Sequence, residues 1–380
     1  MLLLDQPFVS NFLRRTLVEN ALPVINTAGA ETQLLAEETA VDCFRDNPAQ
    51  LLQSNSENSF DWIAENLAFS DLPRQVALLK DKVRFREQLQ PLYPDFRFQA
   101  VAANELERVD VEALPLPFII KPSVGFFSIG VHKVNTIAEW PDLLDAIQRE
   151  LAGVTAVFPE QVLDTTTFII EACLAGDEYA IDAYFNDIGN PVILNIMYHP
   201  FGSADDVSDR AYITSASIVS RNLEQFTGLL HEVGSLAGLR NFPLHAEVRV
   251  DDNGHIVPIE FNPLRFGGWC AVDMAHFAFA INPYLMFLRP EKPDWENILA
   301  VKGEELTGLI VLDRSGPLTT KPVTHFDERR LLSQFSHPLD WRPIDFNRYP
   351  VFGFLFMETP GGDTAEIDQI LRSDLTEFVR

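Results

Sequence analysis

Three stretches of this sequence carry side chains whose types and spacing could do chemistry. The first is His245-Ala-Glu-Val-Arg-Val-Asp-Asp-Asn-Gly-His-Ile-Val-Pro-Ile-Glu-Phe-Asn262. Two strand-like runs flank the turn Asp251-Asp-Asn-Gly254, a strong hairpin signal. Glu260 and Asn262 are two apart, so they share one face of a strand, and pairing across the turn can bring Glu247 onto that face. Two carboxylates and an amide oxygen are hard ligands suited to Mg²⁺, which takes the rest of its shell from water and nucleotide phosphates. The competing reading is a hairpin with solvated polar positions. Against it, Glu260 and Asn262 sit inside an otherwise apolar run, 256–266, where an unpaired carboxylate is costly.

The second stretch is Phe118-Ile-Ile-Lys-Pro-Ser-Val-Gly-Phe-Phe-Ser-Ile-Gly-Val131. An apolar strand ends at Lys121, a loop holds Gly125, Ser128 and Gly130, and a second strand leaves. Such a loop can turn backbone N–H groups toward phosphates while the lysine adds charge. It lacks GK[ST] and is not a Walker A sequence. Alone, it reads more simply as strand–turn–strand with a lysine reaching for solvent. The third stretch is Phe168-Ile-Ile-Glu-Ala-Cys-Leu-Ala-Gly-Asp-Glu-Tyr-Ala-Ile-Asp182. A hinge of this kind can offer backbone groups to an adenine edge and a carboxylate to ribose hydroxyls. By itself it is also an ordinary strand–turn–strand.

The elements that must position these residues follow from periodicity. Residues 2–4 read as a buried strand, 8–22 repeat apolar residues at helical spacing, and a second strand begins at Pro23. This is the β-α-β opening of a small doubly wound unit, without the GxGxxG of a dinucleotide site. Residues 47–58 are polar and read as a loop. Helical pattern covers 60–69, 74–89 and 223–239. Strand-like runs cover 96–101, 117–121, 129–134, 168–172, 179–185, 191–197, 244–250 and 256–261. Short strands and a closing helix, 364–378, follow from about residue 306.

With 380 residues the chain is long enough for two or three domains. The formal net charge is −26 and no basic run exists, which excludes nucleic acid and anionic membrane surfaces as partners. A nucleotide site in so negative a body must supply its own lysine, arginine and metal charge. Cys43, Cys173 and Cys270 form no CxxC pair, so neither a zinc site nor a disulfide framework is indicated. No secretory signal and no apolar stretch of membrane-spanning length is found, and a cytoplasmic protein is expected.

In this order, the stretches resemble the ATP-grasp superfamily, in particular its carboxylate–amine ligases, and are also similar to biotin-carboxylase-like and D-alanine–D-alanine ligase-like enzymes. Asp81-Lys82 matches the family's DK helix start. Lys121 to Val131 matches its KPxxGxxSxGV lid, Glu171 to Glu178 its E-x-x-x-x-G-x-E hinge, and Glu247, Glu260 and Asn262 its metal hairpin. The resemblance covers about residues 75–290. It implies a mixed α/β (α+β) ATP-grasp fold in three units. These are a small doubly wound pre-ATP-grasp domain (1–76), the ATP-grasp domain (77–290, lid about 115–170) and a β-rich C-terminal lobe packing on it (291–380).

The resemblance also implies roles. Lys82 and Lys121 hold ATP phosphates under a lid formed by Gly125, Phe126, Phe127 and Ser128. Glu171 and the backbone of Ala172, Cys173 and Leu174 meet adenine, and Glu178 takes the ribose. Glu247, Glu260 and Asn262 hold Mg²⁺ or Mn²⁺. Arg265, with Lys121, serves catalysis by stabilising the acyl phosphate and the tetrahedral intermediate. Arg210, Arg249, Gly267 and Gly268 are candidates for substrate contact. The implied reaction is ATP-dependent joining of a small-molecule carboxylate to an amine, and a homodimer is compatible with it. Biotin-carboxylase-like or purine-type carboxylation and a non-catalytic nucleotide-binding module remain the alternatives. Two departures stand out. The lid carries Phe126-Phe127 where small residues are usual. The family's N-P-R run is one residue longer, Asn262-Pro-Leu-Arg265, which leaves Arg249 or Arg210 as alternatives to Arg265. The loop 198–213, with Asp205, Asp206, Asp209 and Arg210, is expected near the substrate, where its acidic residues suit an amino group.

Overall fold

A computed structural model describes residues 1–5, 8–25, 34–125, 130–154, 164–203, 206, 208–314, 316–318 and 321–380. Three sheets organise them. The first is parallel, in the order β3-β2-β1-β4, from β1 (Leu2–Leu3), β2 (Val24–Ile25), β3 (Leu34–Leu35) and β4 (Gln53–Ser54). Helices Asn11–Glu19 and Glu37–Asp46 connect its strands, as a doubly wound opening requires. The second sheet is antiparallel, in the order β5-β8-β6-β7, from β5 (Phe98–Ala102), β6 (Phe118–Val124), β7 (His132–Val134) and β8 (Asp164–Ala172).

The third sheet has eight strands in the order β13-β12-β9-β10-β11-β14-β16-β15. They are β9 (Asp177–Phe185), β10 (Pro191–His199), β11 (Ala211–Thr214), β12 (Phe242–Val250), β13 (Ile256–Pro263), β14 (Leu306–Asp313), β15 (Pro338–Pro343) and β16 (Val351–Thr359). Its pairs are all antiparallel. The strands beyond residue 306 therefore extend the same sheet that begins with the 242–263 hairpin.

Register decides what each face of this sheet does. His245, Glu247 and Arg249 alternate along β12, and their neighbours on β9 are Asp182, Ala180 and Glu178. Glu247 faces Glu260 and His245 faces Asn262 on β13. Because side chains alternate with period two, these residues occupy one face. The other face carries Ile181, Ala246, Val248 and Ile196, buried against helix Ala216–Ala237 through Phe226, Leu230 and Val233. That helix is capped by the Ser215 side chain at its start and by left-handed Gly238 at its end. The hairpin turn forms as expected, with Gly254 at φ +80 and the Asp251 carboxylate accepting from the Asn253 and His255 amides.

Two expectations need correction. Helical pattern over 74–89 is not one helix but two, Leu72–Lys80 and Lys82–Leu89. Asp81 between them is extended, with ψ 107, and its side chain caps the second helix by accepting from the Val83 and Arg84 amides at 3.0 and 3.3 Å. The stretch 47–58 is not all loop. Gln53–Ser54 pairs with β1, and Glu57 opens a short 3₁₀ turn with its side chain buried.

Candidate active site

The polar face of β9, β12 and β13 forms the floor of a cavity roofed by the second sheet. Lys82 and Gly125 line one end with Glu247 and Glu260, and Lys121 lies between them and the hinge, against Glu171. Glu171, Ala172, Cys173 and Leu174 line the other, and Glu178 and Arg249 lie on its floor. Twelve residues singled out from sequence, with Asp209 of the 198–213 loop among them, thus converge on one space. Phe126, Phe127, Ser128 and Asp205 lie outside the described residues. The lining among the described residues does not include Asn262, Arg265, Arg210, Gly267 or Gly268.

The strand ends explain the placement. β8 stops at Ala172 and β9 begins at Asp177, with Gly176 at φ +98 between them. A side chain there would meet the Val250 carbonyl oxygen at 2.0 Å, so only glycine lets this hinge press against the hairpin. Lys82 is the first residue of its helix and is set by the Asp81 cap. The Ser123 hydroxyl on β6 also donates to Asp81, which ties that helix start to the roof.

At the hinge end, Arg86 Nε lies 2.7 Å from Glu171 Oε2 and Lys121 Nζ lies 2.6 Å from Oε1. Burial opposes the charge on Glu171, but Arg86 and then Lys121 outweigh it and hold its carboxyl down at about 2. Glu178 is paired with Arg249, whose Nη2 is 2.7 Å away and whose guanidinium stacks over Phe201 at 5.0 Å.

The other end is balanced differently. Lys82 Nζ is 2.7 Å from Glu260 Oε2, and Asn262 Nδ2 donates to Glu260 Oε1 at 3.0 Å. Despite burial, Lys82 holds Glu260 below the usual carboxylate range. Glu247, directly opposite in register, has His245 Nε2 at 3.5 Å. Burial first, then repulsion from Glu260, pushes Glu247 up to about 7. His245 is held on its far side by Asp182 at 2.8 Å and, despite burial, is raised by that carboxylate to about 9.

A bulge places Ile259 as an extra residue between the Glu247–Glu260 and Val248–Pro258 pairs, where it re-aims the strand at the carboxylate. Among the described residues no group of three His, Cys, Asp or Glu side chains forms a ready metal cage. Two opposed carboxylates beside an amide, repelling each other in a buried cavity, nevertheless suit a hard divalent cation that completes its shell with water and phosphate oxygens.

The residues off the cavity have their own partners. Arg265 follows Leu264, the extra residue in the Asn262–Arg265 run, which adopts a left-handed φ of +55. The guanidinium turns to Glu57, with Nε at 2.8 Å and Nη2 at 2.6 Å from Oε1, and Nη1 donates to the Phe266 carbonyl. Lys80 pairs with the same carboxylate and donates to the Gly125 carbonyl at 2.9 Å. Arg210 points elsewhere, to Asp313 at 3.0 Å and to the carbonyls of Ile370, Leu371 and Ser373 at the end of helix Ala365–Arg372. The Gly267 amide donates to Asp182 at 2.7 Å.

Sequence reasoning missed Glu57 and Lys80. Glu57 was hidden in a stretch that reads as polar loop. Lys80 was overlooked beside Lys82, although the two lysines flanking Asp81 were a visible signal. Phe201, which completes the wall against Arg249, also went unremarked.

A family model described as an ATP-grasp domain matches residues 114–273. The chain carries an ATP-grasp domain. The match spans the roof strands, the hinge and the hairpin with Glu247, Glu260 and Asn262. A D-alanine–D-alanine ligase from Anaplasma centrale is 34% identical over 92 residues, which are 23% of this chain and 44% of that relative. The match thus spans less than half the length of this curated relative. The ATP-grasp fold extends beyond the matched domain. An L-amino acid ligase from Bacillus licheniformis superposes with a TM-score of 0.63 at 16% identity, covering 100% of this chain and 97% of that one. The biotin carboxylase of Campylobacter jejuni, in complex with a β-γ-ATP ligand, gives 0.63 at 10% identity over 97% and 89%. N5-carboxyaminoimidazole ribonucleotide synthetase from Thermotoga maritima gives 0.58 at 13% identity over 100% and 98%. No described helix is long and apolar enough to cross a membrane.

Proposed function

We propose that this protein is an ATP-dependent ligase that activates a small-molecule carboxylate as an acyl phosphate, joins it to an amine, and releases ADP and phosphate. The observation that carries the reading is the opposition of Glu247 and Glu260 in one register step on the floor of the cavity that Lys82 and Lys121 also line. That arrangement gathers lysine charge and a divalent-cation donor set where a triphosphate's β- and γ-groups would lie.

Glu171 and the hinge backbone take the adenine, and Glu178 takes the ribose. Lys82 and Lys121 meet the negative charge that spreads over the γ-phosphoryl group as it moves. Glu247, Glu260 and Asn262 would hold Mg²⁺ or Mn²⁺, which when bound neutralises phosphate charge. A carboxylate oxygen attacks the γ-phosphorus and ADP departs with the electron pair of the broken bond. The amine nitrogen then attacks the acyl carbon, phosphate leaves, and the nitrogen's proton passes to solvent or a nearby base. The roof excludes water that would hydrolyse the acyl phosphate. Arg265, held by Glu57 outside the cavity lining, supports this step. The joined carboxylate and amine are small molecules, and three free cysteines suit a reducing cytoplasm.

Release of ADP and phosphate should require Mg²⁺, a carboxylate and an amine together, in a screen over pairs of amino acids and small acids. Oxygen-18 in the carboxylate should appear in the released phosphate, since the attacking oxygen leaves with it. Label kept wholly in the product, or AMP and pyrophosphate as products, would exclude the acyl-phosphate route. ADP release driven by bicarbonate alone would mark a carboxylase instead.

A further inference from the structure

Arg86 does not line the cavity, yet it is one of the most completely enclosed charges near it, with 3% of its surface exposed. Three contacts fix its guanidinium. Nε donates to Glu171 Oε2 at 2.7 Å, Nη1 donates to the Pro258 carbonyl at 2.5 Å, and the plane lies over the Phe96 ring at 4.3 Å. Glu171 is thereby gripped on one oxygen from behind, and Lys121 grips the other at 2.6 Å. The nucleotide-phosphate reading uses Lys121 and Glu171 but gives Arg86 no task.

We propose that Arg86 is a positioning residue that sets the base selectivity of the nucleotide site, by holding Glu171 as an acceptor-only carboxylate facing the exocyclic amine of adenine. This rests on the reading of the cavity as a nucleotide site. An ionised carboxylate has about four lone-pair positions and no proton to donate. With one position on each oxygen taken by a cation, those that remain accept an N–H and repel a carbonyl oxygen. Adenine presents an amino group at its six-position, whereas hypoxanthine and guanine present a carbonyl. Burial works against the charged form of Glu171, and Arg86 is the first of the two cations that overcome it. Without Arg86, Glu171 is free to take up a proton, and then it donates to a carbonyl, or to swing away, and then it no longer repels one. The selectivity of the site then relaxes even though no residue touching the base has changed.

The test compares equilibrium binding of ATP and of inosine triphosphate, which differ at the six-position, to the wild type, Arg86→Gln and Arg86→Lys. The wild type should prefer ATP by about tenfold or more, the scale of one mismatched buried hydrogen-bonding group. Arg86→Gln should erase most of that preference, chiefly by weakening ATP, and Arg86→Lys should keep most of it because the charge behind Glu171 survives. A merely structural role predicts that both nucleotides weaken together at a constant ratio, and that result overturns the proposal. If Arg86→Gln does not fold, Glu171→Gln gives the same reading: a carboxamide can turn either its oxygen or its amino group to the base, so the ratio must fall, and an unchanged ratio refutes the inference. A wild type that binds both triphosphates equally overturns the selectivity claim and leaves the nucleotide site standing. A wild type that binds neither overturns both.

Discussion

The two ends of the cavity are built from the same materials and balanced in opposite ways. At the hinge end, Glu171 lies between Arg86 and Lys121, and its charge is fully answered from within the protein. At the hairpin end, Glu247 and Glu260 face each other with Lys82 paired to Glu260, and among the described residues the ion-pair partner of Glu247 is His245 at 3.5 Å. One carboxyl is accordingly held at about 2 and the other pushed up to about 7, although both are largely withdrawn from solvent. Burial alone does not decide a carboxylate's state; the count of nearby cations does. The hinge end, which we propose takes the base, is electrostatically complete before anything binds. The hairpin end, proposed to take the phosphates, leaves Glu247 without a lysine or arginine partner among the described residues, and a divalent cation would be its natural complement.

The largest effect should come from breaking the hairpin end. Glu260→Gln removes the carboxylate opposed to Glu247 and leaves Lys82 without its ion pair. Turnover should fall by about 10³-fold or more, measured as ADP release, while circular dichroism shows the fold retained. Near-normal turnover would remove the metal assignment.

Next is Arg265→Ala, expected to lower kcat by roughly 10²-fold with little change in ATP affinity, since such a charge is needed chiefly as the acyl phosphate reacts. If Arg249→Ala proves crippling and Arg265→Ala mild, the turn of Arg265 toward Glu57 has moved the role.

The metal-free protein offers a third test. A carboxyl whose folded value is raised gives stability that is complete below its unfolded value and lost as pH rises through the folded one. Glu247 should therefore cost the metal-free protein on the order of 3 kcal/mol between about pH 4.5 and 7. Thermal melts should show that slope. Mg²⁺ should flatten it and so should Glu247→Gln, and a slope unchanged by either would separate Glu247 from the cation.

The smallest effect is Asp81→Ala, which removes the cap that sets Lys82. It should cost about 1 kcal/mol in denaturant unfolding and raise the KM for ATP modestly.

The hairpin, the hinge and the roof were legible because each puts its chemistry at fixed spacing on strands, where period two converts sequence distance directly into a shared face. Glu247, Glu260 and Asn262 are of this kind. Partners drawn from distant segments were not legible. Nothing local tells that Glu57 meets Arg265, or that Arg210 closes the end of a helix that begins at Ala365. The one-residue insertion was visible, but its outcome depended on Leu264 accepting a left-handed backbone and on an acceptor across the molecule. The break between the helices at Asp81 was obscured because apolar periodicity continues through it. The strands of the third sheet were found one by one, but not their order, which non-local pairing decides.

That order has a consequence for how the protein is made. β10 and β11 are flanked on one side by β9, with the hairpin strands beyond it, and on the other by β14, with β16 and β15 beyond. During synthesis, the floor of the cavity leaves the ribosome while β11 still lacks its outer neighbour, and its open edge is closed only when residues 306–313 and then 351–359 have followed. Sheets whose partners arrive late fold slowly and expose unpaired edges in the interval. Ribosome-bound chains stopped before residue 306 should therefore be protease-sensitive throughout the 177–263 region, long after every residue of the candidate site has been joined to the chain.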